Sequence, residues 1–391
     1  MHINKTQFDC SGCTACACVC PKQCISMEPD SLGFKYPNVD LSRCIDCSLC
    51  VKTCPFNSEY NTTLEFDKPI TFVGKNKDPE EVMKSQSGGA ADILSKHIIK
   101  RGGVVYGVGF SKDFQAVHKR ASTLQEIEEF RGSKYVQSEL NDTFKEIKKD
   151  LIEGKEVLFI GTPCQTAGLQ SFIPTKLKAN LYVIDIICHG VGSPKLWADY
   201  LSYLEEKENA KLEKVNFRDK NISSLRWHSC LESFKFVNRE KVYHYLYRFY
   251  SHLHLRYSCK ECPFTNLRRT SDITIGDAWG IEKTAQSYLA ADQKGCSLFL
   301  INTCKGETLF KAINNSLISQ EVDLSQYLQP QLLHPTTFDK KRERFEKDYV
   351  QYGFKKVKAK YGPPLSKKIK KFISSLFPKK LKRNMKNILK K

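Results

Sequence analysis

A chain of 391 residues is too long for one small module, and its 41% apolar content is enough to bury a core, which excludes an intrinsically disordered chain and sets two or three domains as the expectation. The net charge of +19 has the size of a nucleic-acid binder's, but it is local: segment 339–391 holds 20 Lys or Arg against 4 Asp or Glu, leaving about +3 on the rest of the chain. Basicity belongs to a tail, so no nucleic-acid partner is expected for the body of the protein.

The opening Met1-His2-Ile3-Asn4-Lys5 lacks the apolar region of a secretory signal. The best apolar run, 181–188, is far too short to cross a bilayer and contains Asp185. A cytoplasmic location follows as the expectation. The 17 cysteines are odd in number, and ten of them lie between Cys10 and Cys54, which in a reducing compartment points to metal ligation and not to disulfides.

The start of the chain, 1–60, contains a duplication. Cys10, Cys13, Cys16, Cys20 and Pro21 recur in the same spacing as Cys44, Cys47, Cys50, Cys54 and Pro55. Each half reads C-x2-C-x2-C-x3-C-P. The short spacings let three thiolates converge on one cubane cluster while the fourth, beside its proline, serves the other. The expected ligands are Cys10, Cys13, Cys16 and Cys54 for one 4Fe–4S cluster, and Cys44, Cys47, Cys50 and Cys20 for a second. Zinc prefers two C-x2-C pairs separated by a longer loop and does not account for two complete halves. Cys18 and Cys24 fall outside the pattern and read as packing residues, with Cys18 close enough to be an alternative ligand.

Segment 61–77 is polar and irregular and reads as a linker. From 78 to 338 strand and helix patterns alternate. Strands are expected at 103–110, 156–160, 181–187 and 273–275, and helices at 90–100 and 140–153, an alternation that argues for an α/β domain with a mixed or largely parallel sheet. No strand-linked G-x-G-x-x-G is present, so a Rossmann dinucleotide fold is not supported.

Several segments in this domain have the character of sites. Gly88-Gly89 precedes the helical pattern at Ala90, where exposed N–H groups favour a pyrophosphate. Arg131 and Lys134, with Ser133 and the backbone of Gly132, suit phosphate or ribose. Ile160-Gly161-Thr162-Pro163-Cys164-Gln165 follows a strand and opens a helix; Pro163 suits the first turn, and Cys164 at the helix N-terminus has its thiolate favoured. Cys188-His189-Gly190 ends the next strand, and Cys259 and Cys262 form a C-x2-C, so these cysteines total four, the number a third cluster requires. Tyr135, Trp279 and the aromatic run 243–250 are candidates to stack on a flat ring, though most suit a core equally well. Asp277 suits a ligand contact or a turn, and His189 a proton relay or a packed position. Cys230, Cys296 and Cys304 have no partner at ligand spacing and read as structural.

With S-Q-S-G-G at Ser85, Gln86, Ser87, Gly88 and Gly89, R-G-S-K-Y-V-Q-S from Arg131 through Tyr135 to Ser138, G-T-P-C-Q at 161–165, Cys188, Cys259-x2-Cys262 and DITIGDAWG at 272–280, region 79–335 resembles the coenzyme F420 hydrogenase/dehydrogenase beta-subunit family. The resemblance implies FAD and a 4Fe–4S cluster held by Cys164, Cys188, Cys259 and Cys262. It also implies hydride exchange between F420 and FAD followed by single-electron transfer to iron–sulfur clusters. Relatives with a fused N-terminal ferredoxin look like this chain, whereas others use different partners, so the resemblance leaves the substrate open.

In segment 339–391, apolar residues from Leu365 to Leu376 and from Leu381 to Leu389 recur at helical spacing around a lysine-rich face. A basic amphipathic helix of this kind suits an anionic membrane surface, which makes peripheral attachment an expectation. The expected architecture is thus an α+β ferredoxin module (1–60), a linker (61–77), an α/β domain (78–338) and a basic helical tail (339–391). The expected function is an iron–sulfur flavoprotein oxidoreductase working with a redox partner protein or small electron carrier. The alternative is a non-catalytic electron-relay subunit without flavin.

Overall fold

The computed structural model describes residues 1–57, 65–222, 226–228, 231–243 and 252–362. These fall into two compact units, Met1–Asp339 and a second that begins at Lys340. The amphipathic pattern of the tail, Cys230 and aromatic residues 244–250 lie outside the described residues. Within the second unit, a helical stretch spans Arg342–Tyr361 and is interrupted at Gly353. Among the described residues, no helix is long and apolar enough to cross a membrane.

The N-terminal module is small and α+β. Two one-turn helices, α1 (Ala15–Val19) and α2 (Leu49–Thr53), flank an antiparallel hairpin of β1 (Ile25–Pro29) and β2 (Lys35–Val39). The duplication extends to backbone geometry. Thr14 and Ser48, the residues preceding each helix, both adopt left-handed φ (65° and 60°), and Cys20 and Cys54 follow each helix in extended conformation. The left-handed entry is what folds three closely spaced thiols toward one point.

The larger domain is built on a mixed sheet. It comprises β3 (Ile70–Asn76), α3 (Pro79–Lys84), α4 (Ala90–Lys100), β4 (Val104–Phe110), β5 (Ala116–Ala121), α5 (Thr143–Ile152), β6 (Val157–Gly161), α6 (Pro163–Phe172), β7 (Leu181–Ile186), α7 (Pro194–Glu208), β8 (Leu212–Asn216), β9 (Glu232–Phe236), β10 (Arg239–Tyr243), β11 (Ile273–Asp277), β12 (Ser297–Ile301), α8 (Cys304–Ala312) and β13 (Leu317–Glu321). The eight-stranded sheet has the order β13-β3-β12-β11-β7-β6-β4-β5, with β8, β9 and β10 in a separate antiparallel sheet. The central β4, β6, β7 and β11 run parallel, and antiparallel strands close both sides. Helices α4 and α8 cover one face through Ile93, Leu94, Leu309 and Phe310. On the other face, α5 and α6 pack Phe144, Ile147, Leu169 and Phe172 against the sheet.

Two sequence expectations are corrected here. Strand β3 lies inside the segment read as a linker, between β12 and β13. Both partners come from the far end of the domain's sequence, and the β-branched and aromatic run Ile70-Thr71-Phe72-Val73 is the local signal of the strand. The helix expected from residue 140 starts at Thr143, because Asn141 takes a left-handed φ of 46° that a helix does not accept.

The N-terminal module and the sheet domain belong to one compact unit. Ala15 of α1 is fully buried within the α5/α6 core. Gly168 of α6 is required by this approach, since a Cβ there would stand 2.8 Å from Cys13 Sγ. The hairpin turn docks on the start of α7, where Ser193 Oγ and the Lys195 N–H both donate to the Leu32 carbonyl at 2.6 and 3.1 Å.

Arg256 pins the two parts together. It is 1% exposed, and its guanidinium donates to the carbonyls of Cys10 (2.7 Å) and Lys35 (2.9 Å) and to Gln137 Oε1 (3.0 Å). The same group lies 4.3 Å from the Tyr36 ring centroid. Gln137 completes the bridge by donating to the Ser11 carbonyl at 2.8 Å. Arg256→Met leaves one buried and two part-buried acceptors without their charged donor and is expected to lower unfolding stability by about 3 kcal/mol, read by urea unfolding. Hydrogen exchange should accelerate in β1–β2 ahead of the large sheet. Unchanged stability and exchange would sink the clamp.

Candidate functional site

The thiols of the N-terminal module gather around two small cavities. Cys10, Cys13, Cys16 and Cys54 line one, and Cys20, Cys44, Cys47 and Cys50 line the other. Each cavity takes three cysteines from one half of the duplication and one from the other. The cysteines in the described residues are all free of disulfides. Burial pushes the Cys13 thiol up to about 12, with the neighbouring Cys10, Cys54 and Cys164 adding repulsion, and Cys16 rises for the same reasons. Four thiols converging on one small cavity suit a cationic iron–sulfur core, which compensates several thiolates at once. Cys18 packs instead toward the α5/α6 core, its sulfur 3.8 Å from Thr14 Oγ1. Cys24, read as packing near the clusters, lines the second cavity with its sulfur 3.4 Å from that of Cys20.

A third thiol group forms at the ends of the parallel strands. After β6, Thr162 and Gln165 make a reciprocal capping box, Pro163 opens α6, and Cys164 follows in its first turn. Cys188 lies just beyond β7, Cys259 sits in a 3-10 turn (Tyr257–Glu261), and Cys262 follows that turn. All four line one cavity. The helix start was expected to favour the Cys164 thiolate, but burial dominates and pushes this thiol up. Cys259 is raised to about 12, again chiefly by burial, and Cys188 and Cys262 rise as well. Four thiols facing one small cavity suit a cluster here as in the N-terminal module. Arg269, which nothing in the sequence marks, braces this corner: it is 2% exposed, pairs with fully buried Asp185 at 2.7 Å and donates to the Phe264 carbonyl at 3.0 Å.

A much larger cavity of about 520 Å³ opens along the carboxyl edge of the parallel strands. That edge is where open α/β sheets bind ligands, and the volume is that of a cofactor site. Ser85, Gln86, Ser87, Gly89, Arg131, Gly132, Ser133, Lys134, Tyr135 and Asp277 all line it. Ser85 Oγ and Gln86 Nε2 are buried without a hydrogen-bond partner, as befits groups reserved for a polar ligand. The start of α4 and this polar loop suit phosphate groups, and the mostly apolar remainder suits a flat ring. Gly88, by contrast, is absent from the lining. Its N–H donates to Ser297 Oγ at 2.9 Å, and it sits so close to the sheet that a Cβ would meet the Gly74 carbonyl oxygen at 2.5 Å.

The expected phosphate cations are engaged elsewhere. Arg131 pairs with Asp92 at 2.8 Å and Glu81 at 2.5 Å, and more weakly with Glu128. Lys134 donates to the carbonyls of Phe130, Arg131 and Gly132, and burial draws it down to about 7. Both hold the cavity-lining loop in shape. Asp277 accepts from Ser87 Oγ and pairs with Arg218 at 2.7 Å. Arg218 was not picked out from the sequence, since a single arginine in a polar stretch carries no pattern. Trp279 stands at the cavity wall, 36% exposed, and stacks at 5.3 Å and 8° on Trp227.

The cavities adjoin in series. Ser11 and Phe56 line both the Cys10 cavity and the Cys164 cavity. Cys188, His189, Gly190, Val191 and Gln331 line both the Cys164 cavity and the large one. At the outer end, Cys16, Cys24 and Cys50 share one buried cluster, against which Cys20, Cys44 and Cys54 pack. His189, placed between the third cavity and the large one, contacts His252 Nε2 at 2.7 Å and Gln331 at 2.9 Å. Cys296 is fully buried in an apolar cluster away from these sites, and Cys304 is exposed at the start of α8.

Residues 154–326 match the family model described as the C terminus of the beta subunit of coenzyme F420 hydrogenase/dehydrogenase, and residues 9–58 match the 4Fe–4S dicluster domain. Over 66 residues the chain is 38% identical to NADH-quinone oxidoreductase subunit I of Pelobacter propionicus, covering 14% of this chain and 36% of that protein. Over 63 residues it is 33% identical to NADH-quinone oxidoreductase subunit I 2 of Geobacter metallireducens, covering 15% and 48%. The chain thus spans between a third and a half of the length of these curated relatives. A chain of the solved F420-reducing NiFe hydrogenase complex from Methanosarcina barkeri aligns with a TM-score of 0.46 at 17% identity, covering 78% of this chain and 94% of that one.

The wall behind the large cavity is testable without any ligand. Gly88→Ala places a methyl against the Gly74 carbonyl and the Ser297 nitrogen, 2.5 and 2.8 Å away. Overpacking of this kind is expected to cost about 1–3 kcal/mol, seen as a lowered thermal midpoint. An unchanged midpoint would contradict the contact.

Proposed function

The chain joins a 4Fe–4S dicluster domain to a domain of the coenzyme F420 hydrogenase/dehydrogenase beta-subunit family, and on that premise we propose an iron–sulfur flavoprotein oxidoreductase. In this reading Cys10, Cys13, Cys16 and Cys54 hold one 4Fe–4S cluster, Cys20, Cys44, Cys47 and Cys50 a second, and Cys164, Cys188, Cys259 and Cys262 a third. FAD occupies the large cavity, with Ser85, Gln86, Ser87 and Gly89 at its polar end. When bound, FAD supplies the exchange of a hydride for single electrons.

The observation that carries the reading is a series of three cavities with shared lining, two lined by four cysteines and one by unpartnered polar groups, joined to a further cysteine-lined cavity through one buried cluster. The polypeptide's part is positional. The strand ends bring Cys164 and Cys188 to the wall of the large cavity's neighbour, and Arg256 ties that corner to the Cys10 loop. Buried thiols and apolar walls exclude water from the route. The two-electron partner is F420 or another hydride carrier, and the one-electron partner is a redox protein or small carrier reached through the outer cluster.

Anaerobic purification with iron, sulfide and flavin quantified tests this directly. About twelve irons and one FAD per chain are expected. Cys188→Ser is expected to drop iron toward eight while the N-terminal module keeps its visible spectrum. Eight irons in the unaltered protein would remove the third cluster, and absent flavin would leave an electron relay.

A further inference from the structure

The charged groups around the large cavity are nearly all engaged by the protein itself. Arg131 is matched to Asp92 and Glu81, and Lys134 is tied to three carbonyls. Arg218 differs. It is 3% exposed in the cavity wall, and its terminal nitrogens reach Asp277 and the Trp227 carbonyl, each at 2.7 Å, and the Tyr135 hydroxyl at 3.3 Å. Its Nε is buried with no partner. The residue also holds a left-handed φ of 51°. A buried charged donor left without an acceptor, on a backbone that disfavours its own side chain, is a cost expected where a ligand supplies the missing contact.

Position adds to this. Asp277 ends β11, the parallel neighbour of β7, beyond which Cys188 lies. The Asp277 carbonyl accepts from Gln329 at 2.7 Å, and Gln331 touches His189, next to Cys188. Arg218 and its counter-ion therefore stand between Ser87, whose hydroxyl donates to Asp277, and the strand end beyond which Cys188 lies. Trp279, with the Arg218 guanidinium 5.1 Å from its ring centroid, provides a flat wall beside it.

We propose that Arg218 is the positioning residue that stabilises negative charge on a redox ring bound in this cavity, with Asp277 as the counter-ion that attenuates it. The proposal rests on the flavoprotein reading above. Hydride transfer delivers two electrons and one proton to a neutral ring and leaves one negative charge on it, while the donor is oxidised by loss of the same hydride. Both electrons then leave singly toward the clusters, and the proton passes to solvent. A guanidinium held within the wall favours the charged, reduced state, and Asp277 offsets part of that field.

The test uses the full chain, purified with its flavin and clusters, and reads the flavin midpoint potential by dye-equilibrated titration and sulfite affinity by flavin bleaching. Sulfite addition also places negative charge on the ring, so it reports the same field without turnover. Arg218→Met is expected to shift the midpoint negative and weaken sulfite binding about tenfold or more. Asp277→Asn is expected to move both in the opposite direction, and Arg218→Lys to lie between Arg218→Met and the unaltered protein. Opposite signs are not a consequence of misfolding, and if Arg218→Met fails to retain flavin, Asp277→Asn and Arg218→Lys decide alone. Shifts of the same sign, or none, overturn the role of Arg218 while leaving the flavoprotein reading intact. Absence of flavin from the unaltered protein overturns both.

Discussion

The arrangement depends on one buried guanidinium. Arg256 lies just before Cys259 in the chain, yet its donors go to the Cys10 loop, the β1–β2 hairpin and Gln137. A buried arginine is stable only when its donors are satisfied, and here most acceptors are backbone carbonyls of a module at the opposite end of the sequence. The same side chain therefore sets the approach of the first thiol group to the third. Leu32 on the start of α7 and the bare surface of Gly168 against Cys13 leave the module little freedom to rotate.

Two electrostatic regimes meet along this junction. On the thiol side, burial raises Cys13, Cys164 and Cys259, and neighbouring thiols add to the rise at Cys13 and Cys259. On the cavity side, charge is abundant but internally compensated: Arg131 with Asp92 and Glu81, Arg218 with Asp277, and Lys220, 4% exposed, against the Val82 and Ser87 carbonyls. The contacts of Arg131 and Lys220 are architectural, whereas Arg218 keeps its Nε without a partner. They hold the Ser85–Gly89 and Arg131–Tyr135 loops around the cavity without a hydrophobic filling.

Placement at strand ends explains why one fold can serve both regimes. Parallel strands β6, β7 and β11 finish at the same edge, so Cys164, Cys188 and Asp277 emerge side by side although they are distant in sequence. The antiparallel β12 and β3 extend the sheet beyond them and bring Ser297 against Gly88, which closes the back of the cavity.

Much of this was legible in the sequence wherever the determining interaction is local. The duplicated C-x2-C-x2-C-x3-C-P spacing fixes how closely three thiols can approach, Pro163 after a strand announces α6, and the apolar runs of β4, β6 and β7 mark buried strands. Where partners are remote, the sequence was silent or misleading. Strand β3 reads as linker despite its run Ile70-Thr71-Phe72-Val73, its ladder being completed by the remote β12 and β13; Arg131 reads as a phosphate cation because Glu81 and Asp92 are not its neighbours in the chain; and Arg218, Arg256 and Arg269 carry no motif at all. Spacing alone determined which cysteines of the N-terminal module converge on common cavities. Only the tertiary structure decided how those groups adjoin and which cations are committed to architecture, because both depend on burial and long-range pairing that no short window of sequence contains.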